Sequence, residues 1–297
     1  MEAAREHLPA LLDGGKVPDL PTGKKLCDML DSLTLVDAPK EAKLTPKQKE
    51  TQQIVGSLKY MEKCDPALTL PNHRLSCVMA RPPPEAFTAA RAVLRDAYRR
   101  RSTGLVFGGV DDAPDSPKSL RGEICAGIPG VDIQVAPPDL HSSADASWGH
   151  DLALFAVLVT YNGAAVYHTS RKLGLIVDST MEAEAIGASK AAEVVITAQE
   201  ILRALRVPVD GPTTILTDNK ANYLVASARS TPNRSAHFLR RYHTLLQRVK
   251  NLEVKIEHMP DPQMMSDFLT KWVPKTKLKA SIAYATNACI ANGADWA

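Results

Sequence analysis

Downstream of residue 150 the apolar positions fall into short runs with strand character. LFAVLVTYNGAAVYHTS (154–170) is two β-compatible runs around Asn162-Gly163, a dipeptide that favours a two-residue hairpin because both positions accept positive φ. A further strand is expected before them, ending near Ser143–Ala146. TTILTD (213–218) and VKIEHM (254–259) alternate with period two. Between these runs the period becomes that of a helix. Over 180–206, Ala188, Ala191, Val195, Ala198 and Leu202 project to one side and Glu182, Ser189, Glu193 and Glu200 to the other. Residues 219–250 read as mostly helical, and PQMMSDFLTKWV (262–273) as a final helix. The predicted order is βββαβαβα, an α/β fold in which helices flank a mixed five-stranded sheet.

Upstream, two helical patterns stand out: QQIVGSLKYMEK, and PEAFTAARAVLRDAYRRR after the Pro82–Pro84 breaker. Residues 1–50 are rich in Lys, Asp and Pro, with one short periodic patch around Leu26–Leu35, and are expected to be loosely ordered. Gly, Pro and Asp are dense over 108–138, which suits a linker. The chain therefore divides into a loose segment 1–50, a small helical unit 51–107, a linker 108–138, the α/β domain 139–275 and a C-terminal tail 276–297.

Composition narrows the function classes. The 297 residues suffice for about two domains, and a net charge of +3 with 23% charged residues leaves no global polycation, so any basic site is local. Five widely spaced cysteines without a CxxC argue against a disulfide framework or a zinc site and fit a reducing compartment. The N-terminus lacks a continuous apolar run, and the longest one, 152–159, is too short to span a bilayer. Neither secretion nor membrane insertion is expected; the cytoplasm is the expected location.

Candidate chemistry begins at STMEAEAIGAS (179–189). Ser179 and Glu182 have capping-box spacing, which gives Glu182 a local role. Glu184 instead falls on the apolar side of the helix. A carboxylate there either snorkels to water or meets a cation or donor. Three other acids lie beside strand ends or in the final helix: Asp145 in SADASW, Asp218 closing TTILTD, and Asp267 in SDFLTK. Four carboxylates from four elements suit phosphodiester hydrolysis by two divalent cations held by hard oxygen ligands, Mg²⁺ or alternatively Mn²⁺. Without a cation the set is electrostatically unfavourable.

SSADASWGH, DSTMEAEAIGAS, TTILTDNKAN, RSAHFLRRYH and SDFLTK, in this order, resemble the RNase H domain at the end of the Pol polyprotein of copia-type LTR retrotransposons, over roughly 139–273. IVGSLKYMEKCDPA, HRLSCVM and ARAVLRDAYRRRSTGLVF resemble the segment that joins reverse transcriptase to RNase H in those polyproteins. The resemblance implies an RNase H-like fold and a Mg²⁺-dependent endonuclease that cuts the RNA strand of RNA–DNA hybrids. It puts the metal-binding acids on Asp145, Glu184, Asp218 and Asp267, and leaves Glu182 as the cap. It also implies a polymerase palm of the same or another polyprotein as partner, and a virus-like particle or the nucleus as further locations. Ser147 stands where the family usually has a second acid, Ala185 replaces a usual aromatic, and Ala236 with Leu239 replaces a usual Lys and Asp around His237.

No acid occurs between Asp218 and Glu253, whereas Lys220, Arg229, Arg234, Arg240, Arg241, Arg248 and Lys250 do. Charge of one sign beside four carboxylates suits phosphate contact that fixes register without reading sequence. Asn219, Arg234, His237, Arg240, Arg241 and His243 are the expected nucleic-acid-binding residues. His258, inside VKIEHM, reads as a structural or surface histidine. GGVDD (108–112) resembles the Tyr-x-Asp-Asp hairpin of a polymerase palm but has Gly for Tyr and is followed by Pro114 and Pro117, so DNA synthesis is not expected. The rival function class is a catalytically inactive nucleic-acid-binding remnant, which would have no reason to keep all four acids.

Overall fold

The computed structural model describes residues 6–7, 20–37, 39, 42–101, 104–107, 139–148, 153–174, 177, 179–226 and 236–287, without the side chains of 225–226 and 236–242. The linker expected at 108–138, with the GGVDD string, lies outside them. Two compact units are present, one within Met1–Gly104 and one within Leu105–Cys289. Among the described residues, no helix is long and apolar enough to cross a membrane.

The first unit is helical: α1 (Gly23–Asp31), α2 (Pro46–Met61), α3 (Thr69–Ser76) and α4 (Pro84–Arg99). Thr45 and Gln48 form a full capping box at the start of α2, with Pro46 already holding a helical φ. α4 buries Ala86, Ala89, Ala90, Val93, Leu94 and Ala97 along one face. These small residues let α2 come close with Ile54, Val55 and Leu58. The loose order expected for residues 1–50 is not what α1 shows, because Leu26 and Leu30 are fully buried. What ties down the chain before α1 is polar. The buried Arg95 guanidinium donates to Leu20 O (3.2 Å) and Pro21 O (3.0 Å), and hydrophobic periodicity carries no trace of such bonds.

The second unit is a five-stranded sheet of β1 (His141–Ser147), β2 (Leu154–Tyr161), β3 (Ala164–Lys172), β4 (Thr213–Thr217) and β5 (Val254–His258), in the order β3-β2-β1-β4-β5. β1, β2 and β3 are antiparallel, and β4 runs parallel to both β1 and β5. The hairpin turns at Asn162 (φ 50°) and Gly163 (φ 87°), the positive pair that an Asn-Gly turn supplies at low cost. One face of the sheet, with Ala144, Ala146, Phe155, Val157, Val159 and Ile215, packs on α5 (Thr180–Ala204). α6 (Lys220–Ala226) and α7 (Ala236–Lys250) follow β4. The other face, with Ala156, Leu158 and Ala165, is covered by Met265, Phe268, Leu269 and α8 (Lys275–Thr286). This is the mixed sheet flanked by helices expected of an RNase H-like fold.

Two expectations fail at the C-terminal end. Residues 262–273 are not a helix: two short 3₁₀ turns, Asp261–Gln263 and Asp267–Leu269, flank an extended Met264 (ψ 105°). The apolar residues Met264, Met265, Phe268 and Leu269 have helix-like spacing, but all are buried, the last three against the sheet, and Pro260, Pro262 and Pro274 bracket the segment. The region read as a tail from residue 276 belongs largely to α8, whose Ala280, Tyr284 and Ala285 are core residues. Its hydrophobic signal is weak because alanines and lysines dominate it.

Candidate active site

The positions of the acids follow from strand direction. The parallel register pairs Ser143 with Leu216, and carried two residues further it sets Asp145 opposite Asp218. Two parallel strands thus deliver both acids at their C-terminal ends, where α/β sheets bind ligands. Asp145 pairs across β2 with Ala156 and so faces the side covered by the 261–269 segment. Asp267 opens the second 3₁₀ turn on that side. Carboxylate oxygens of Asp145, Asp218 and Asp267 all lie within 4.8 Å of one another.

Glu184 stands beside this group from α5. It is 4% exposed, and its Oε1 accepts the Ala146 N–H at 3.3 Å, beyond the end of the β1–β4 ladder. Gly187, one turn on, lies against β1: a Cβ there would be 3.6 Å from Asp145 O, so only a small residue fits this crossing. Glu182 occupies the first turn, where Ser179 Oγ accepts its N–H at 3.2 Å. Replacing Ser179 with Ala removes this side-chain cap, leaving that N–H only its 3.1 Å bond to Ser179 O, and is expected to cost about 1 kcal/mol in chemical denaturation.

The electrostatics reflect crowding. Burial, reinforced by Asp145 and Asp218, pushes the Glu184 carboxyl up to about 9. Burial raises Asp145 to about 6, with Lys271 opposing and Asp267 adding to the shift. Asp218 is raised by burial and by Asp267. Two lysines offset the charge: Lys271 Nζ lies 3.2 Å from Asp267 Oδ1, and Lys277 Nζ donates to Asp267 Oδ2. Burial works against the Lys271 charge, but Asp145 and Asp267 outweigh it and hold that ammonium above its ordinary range. The Thr270 hydroxyl donates to Asp145 Oδ2.

The donor set fits a hard divalent cation. Oxygen ligands on opposite sides of one ion, each about 2.0–2.6 Å from it, are up to about 5 Å apart, which matches the spacing of the three aspartates. Glu184 Oε2 is buried without a hydrogen-bond partner, an oxygen with capacity to spare beside them. A site of carboxylates alone favours Mg²⁺ or Mn²⁺ over Zn²⁺.

The other expected site residues have mixed placements. Asn219 caps α6, its Oδ1 accepting the Asn222 N–H at 2.9 Å. His243 is exposed on α7. Arg234 and the side chains of His237, Arg240 and Arg241 lie outside the described residues. His258 closes β5, exposed, 3.1 Å from Asp218 O. Sequence reasoning did not single out Thr270, Lys271, Lys277 or Trp148. Thr270 and Lys271 directly follow the Asp267 turn, so the SDFLTK string contained them. Lys277 has no local signal. Trp148 is 56% exposed just past β1, and its indole N–H donates to Val177 O at 3.0 Å.

No protein-family model and no curated protein sequence matches the chain. Among solved structures, it is similar to LC11-RNase H1 from compost, in complex with an RNA/DNA hybrid, at 11% identity and TM-score 0.36, over 42% of this chain and 88% of that one. RNase H1 from the archaeon Halobacterium salinarum matches at 14% identity and TM-score 0.31, over 41% of this chain and 86% of that one. The protease-reverse transcriptase of prototype foamy virus matches at 16% and 0.29, over 42% of this chain but 18% of its own length. The RNase H-like fold of residues 105–289 rests on the strand order and directions of its own sheet.

Proposed function

We propose that the second unit is a Mg²⁺-dependent endonuclease that hydrolyses the RNA strand of RNA–DNA hybrids, and that the chain derives from a copia-type Pol polyprotein and works with a polymerase palm of the same or another polyprotein. The observation that carries the reaction class is the convergence of Asp145, Asp218 and Asp267 within 4.8 Å, with Glu184 beside them. When bound, divalent cations lower the pKa of an attacking water and stabilise charge on phosphate oxygens. Water adds to phosphorus, the P–O3′ bond breaks, and the products carry a 3′-hydroxyl and a 5′-phosphate.

The protein's own residues supply orientation. Asp145, Asp218 and Asp267 are the ligands, with Thr270 fixing one oxygen of Asp145 and the Ala146 N–H fixing one of Glu184. Trp148 presents an anchored ring near the end of β1, a surface on which a sugar or base can pack. The arginines of 229–248 contact phosphates. RNA is told from DNA by groove shape and 2′-OH contacts.

The test is cleavage of an end-labelled hybrid with Mg²⁺ and with EDTA, alongside duplex DNA. Mg²⁺-dependent cutting confined to the RNA strand is the expected result. A chain that binds hybrid but never cuts it, under any divalent cation, ends the enzymatic reading. Charge reversal at Arg240 and Arg241 is expected to weaken hybrid binding equally for all sequences and to lower the salt slope by about one per lost contact. Cleavage at saturating substrate should persist, and an unchanged salt slope would reduce the stretch to a solvated helix face.

A further inference from the structure

The first turn of α8 carries Lys275 and Lys277 and no acid. Cations at a helix N-terminus oppose its dipole, so this charge needs an external partner. Lys277 has one. Its side chain is 16% exposed, and its Nζ donates to Asp261 O at 2.7 Å and to Asp267 Oδ2, whose own side chain is 1% exposed. Lys271 reaches the same aspartate from a more open position, 43% exposed, and also lies 3.5 Å from Asp261 Oδ1. Lys277 is the better anchored of the two, because Ala280, Tyr284 and Ala285 fix α8 against the sheet. Asp267 therefore has one oxygen committed to an internal ammonium in a cluster whose ligand role needs both charge and oxygen.

We propose that Lys277 is a built-in counter-ion that sets the divalent-cation affinity of the acid cluster. It holds Asp267 in place in the metal-free protein and competes for it with the cation. This inference rests on the metal-dependent reading of the site. Lys277 is a positioning residue that never meets substrate. A fixed positive charge within a few ångströms of a bound divalent ion repels it strongly even at an effective dielectric of about 20. Removing the charge should therefore tighten binding, whereas removing a merely structural contact would loosen it.

The experiment is calorimetric titration of Mg²⁺, and separately Ca²⁺, into the full chain at pH 8. Wild type is compared with Lys277→Met, Lys277→Gln and Lys277→Arg, and thermal melting is recorded without metal. Lys277→Met and Lys277→Gln are expected to bind Mg²⁺ at least about tenfold more tightly and to melt earlier without metal, while Lys277→Arg stays near wild type in both. Glutamine can still donate to Asp261 O, so it tests the charge even where methionine fails to fold. Equal or weaker Mg²⁺ binding in the glutamine variant, with measurable wild-type binding, overturns the counter-ion role alone. Absence of divalent binding in wild type overturns both this inference and the metal-dependent nuclease.

Discussion

Glu184→Gln is expected to abolish hybrid cleavage and, in the same protein, to stabilise the metal-free fold at pH 8. The two effects share one cause. Glu184 is buried beside Asp145 and Asp218, its carboxyl is pushed up to about 9, and its Oε2 has no hydrogen-bond partner. In the unfolded chain the same group ionises near its ordinary value, so at pH 8 folding must either protonate it or bury its charge. Glutamine keeps the shape and the acceptor for the Ala146 N–H while removing that cost. The gain should be about 2 kcal/mol in metal-free denaturation. Cleavage should fall by roughly a hundredfold or more, beyond the 10 to 100-fold typical of groups that only orient ligands. Glu182→Gln, one position before the buried face begins, should alter neither by a comparable amount. Equal loss of activity in both variants at matched folded fraction would remove the assignment of roles. A destabilised Glu184→Gln would show that the carboxylate is structurally satisfied, contrary to its orphaned oxygen.

The sheet was legible in the sequence because its signals are local. Asn162-Gly163 sits between two apolar runs, VKIEHM alternates and TTILTD is a short β-compatible run, and the Glu193 and Glu200 side of α5 is solvent-exposed where the period places it. Asp145 and Asp218 were legible because each lies near the end of an expected strand, and parallel strands bring such ends together. Asp267 was found despite a wrong element, since its neighbours Met264, Met265, Phe268 and Leu269 report burial correctly but not the backbone that achieves it. Positions fixed by long-range polar bonds were not legible. Arg95 reaches back to Leu20 and Pro21, Gln199 joins α5 to Thr213 Oγ1 and Glu253 O, and Lys277 crosses from α8 to Asp267. In each, the partner is distant in the chain and the residue type is one that a helix surface would carry anyway. Lys277 shows the consequence most plainly: one of two lysines in a presumed tail, it carries no sign in the sequence of the buried acid it meets.

Metal-free stability of the second unit is expected to fall as pH rises from about 6.5 to 9, and Glu184 is the group that makes it fall. A carboxyl whose folded pKa is raised binds its proton in the native state after the unfolded chain has lost its own. Stability therefore declines from the unfolded pKa upward and levels off above the folded one. For Asp145 that window runs from its ordinary value of 3.8 to about 6, and for Glu184 from 4.5 to about 9. His141 has the opposite sign: burial lowers it from 6.5 to about 4, so its contribution is present above 6.5 and is lost as pH falls toward 4. Below about pH 6 the Asp145 and His141 slopes oppose each other. Above 6.5 both have finished titrating, whereas Lys271 and Tyr284, raised from ordinary values of 10.5 and 10.0, have not begun. Glu184, the most strongly shifted carboxyl of the cluster, then dominates, contributing a slope of at most about 1.4 kcal/mol per pH unit. Hydrogen exchange at the Val157 and Leu158 amides, in the buried centre of β2, reads this opening in the intact chain without interference from the helical unit. Glu184→Gln should flatten the slope, and saturating Mg²⁺ should flatten it in wild type, because a bound cation replaces the proton as the charge that Glu184 lacks. A slope that survives in the glutamine variant would move the titrating group away from Glu184, and with it the physical basis for its place in the site.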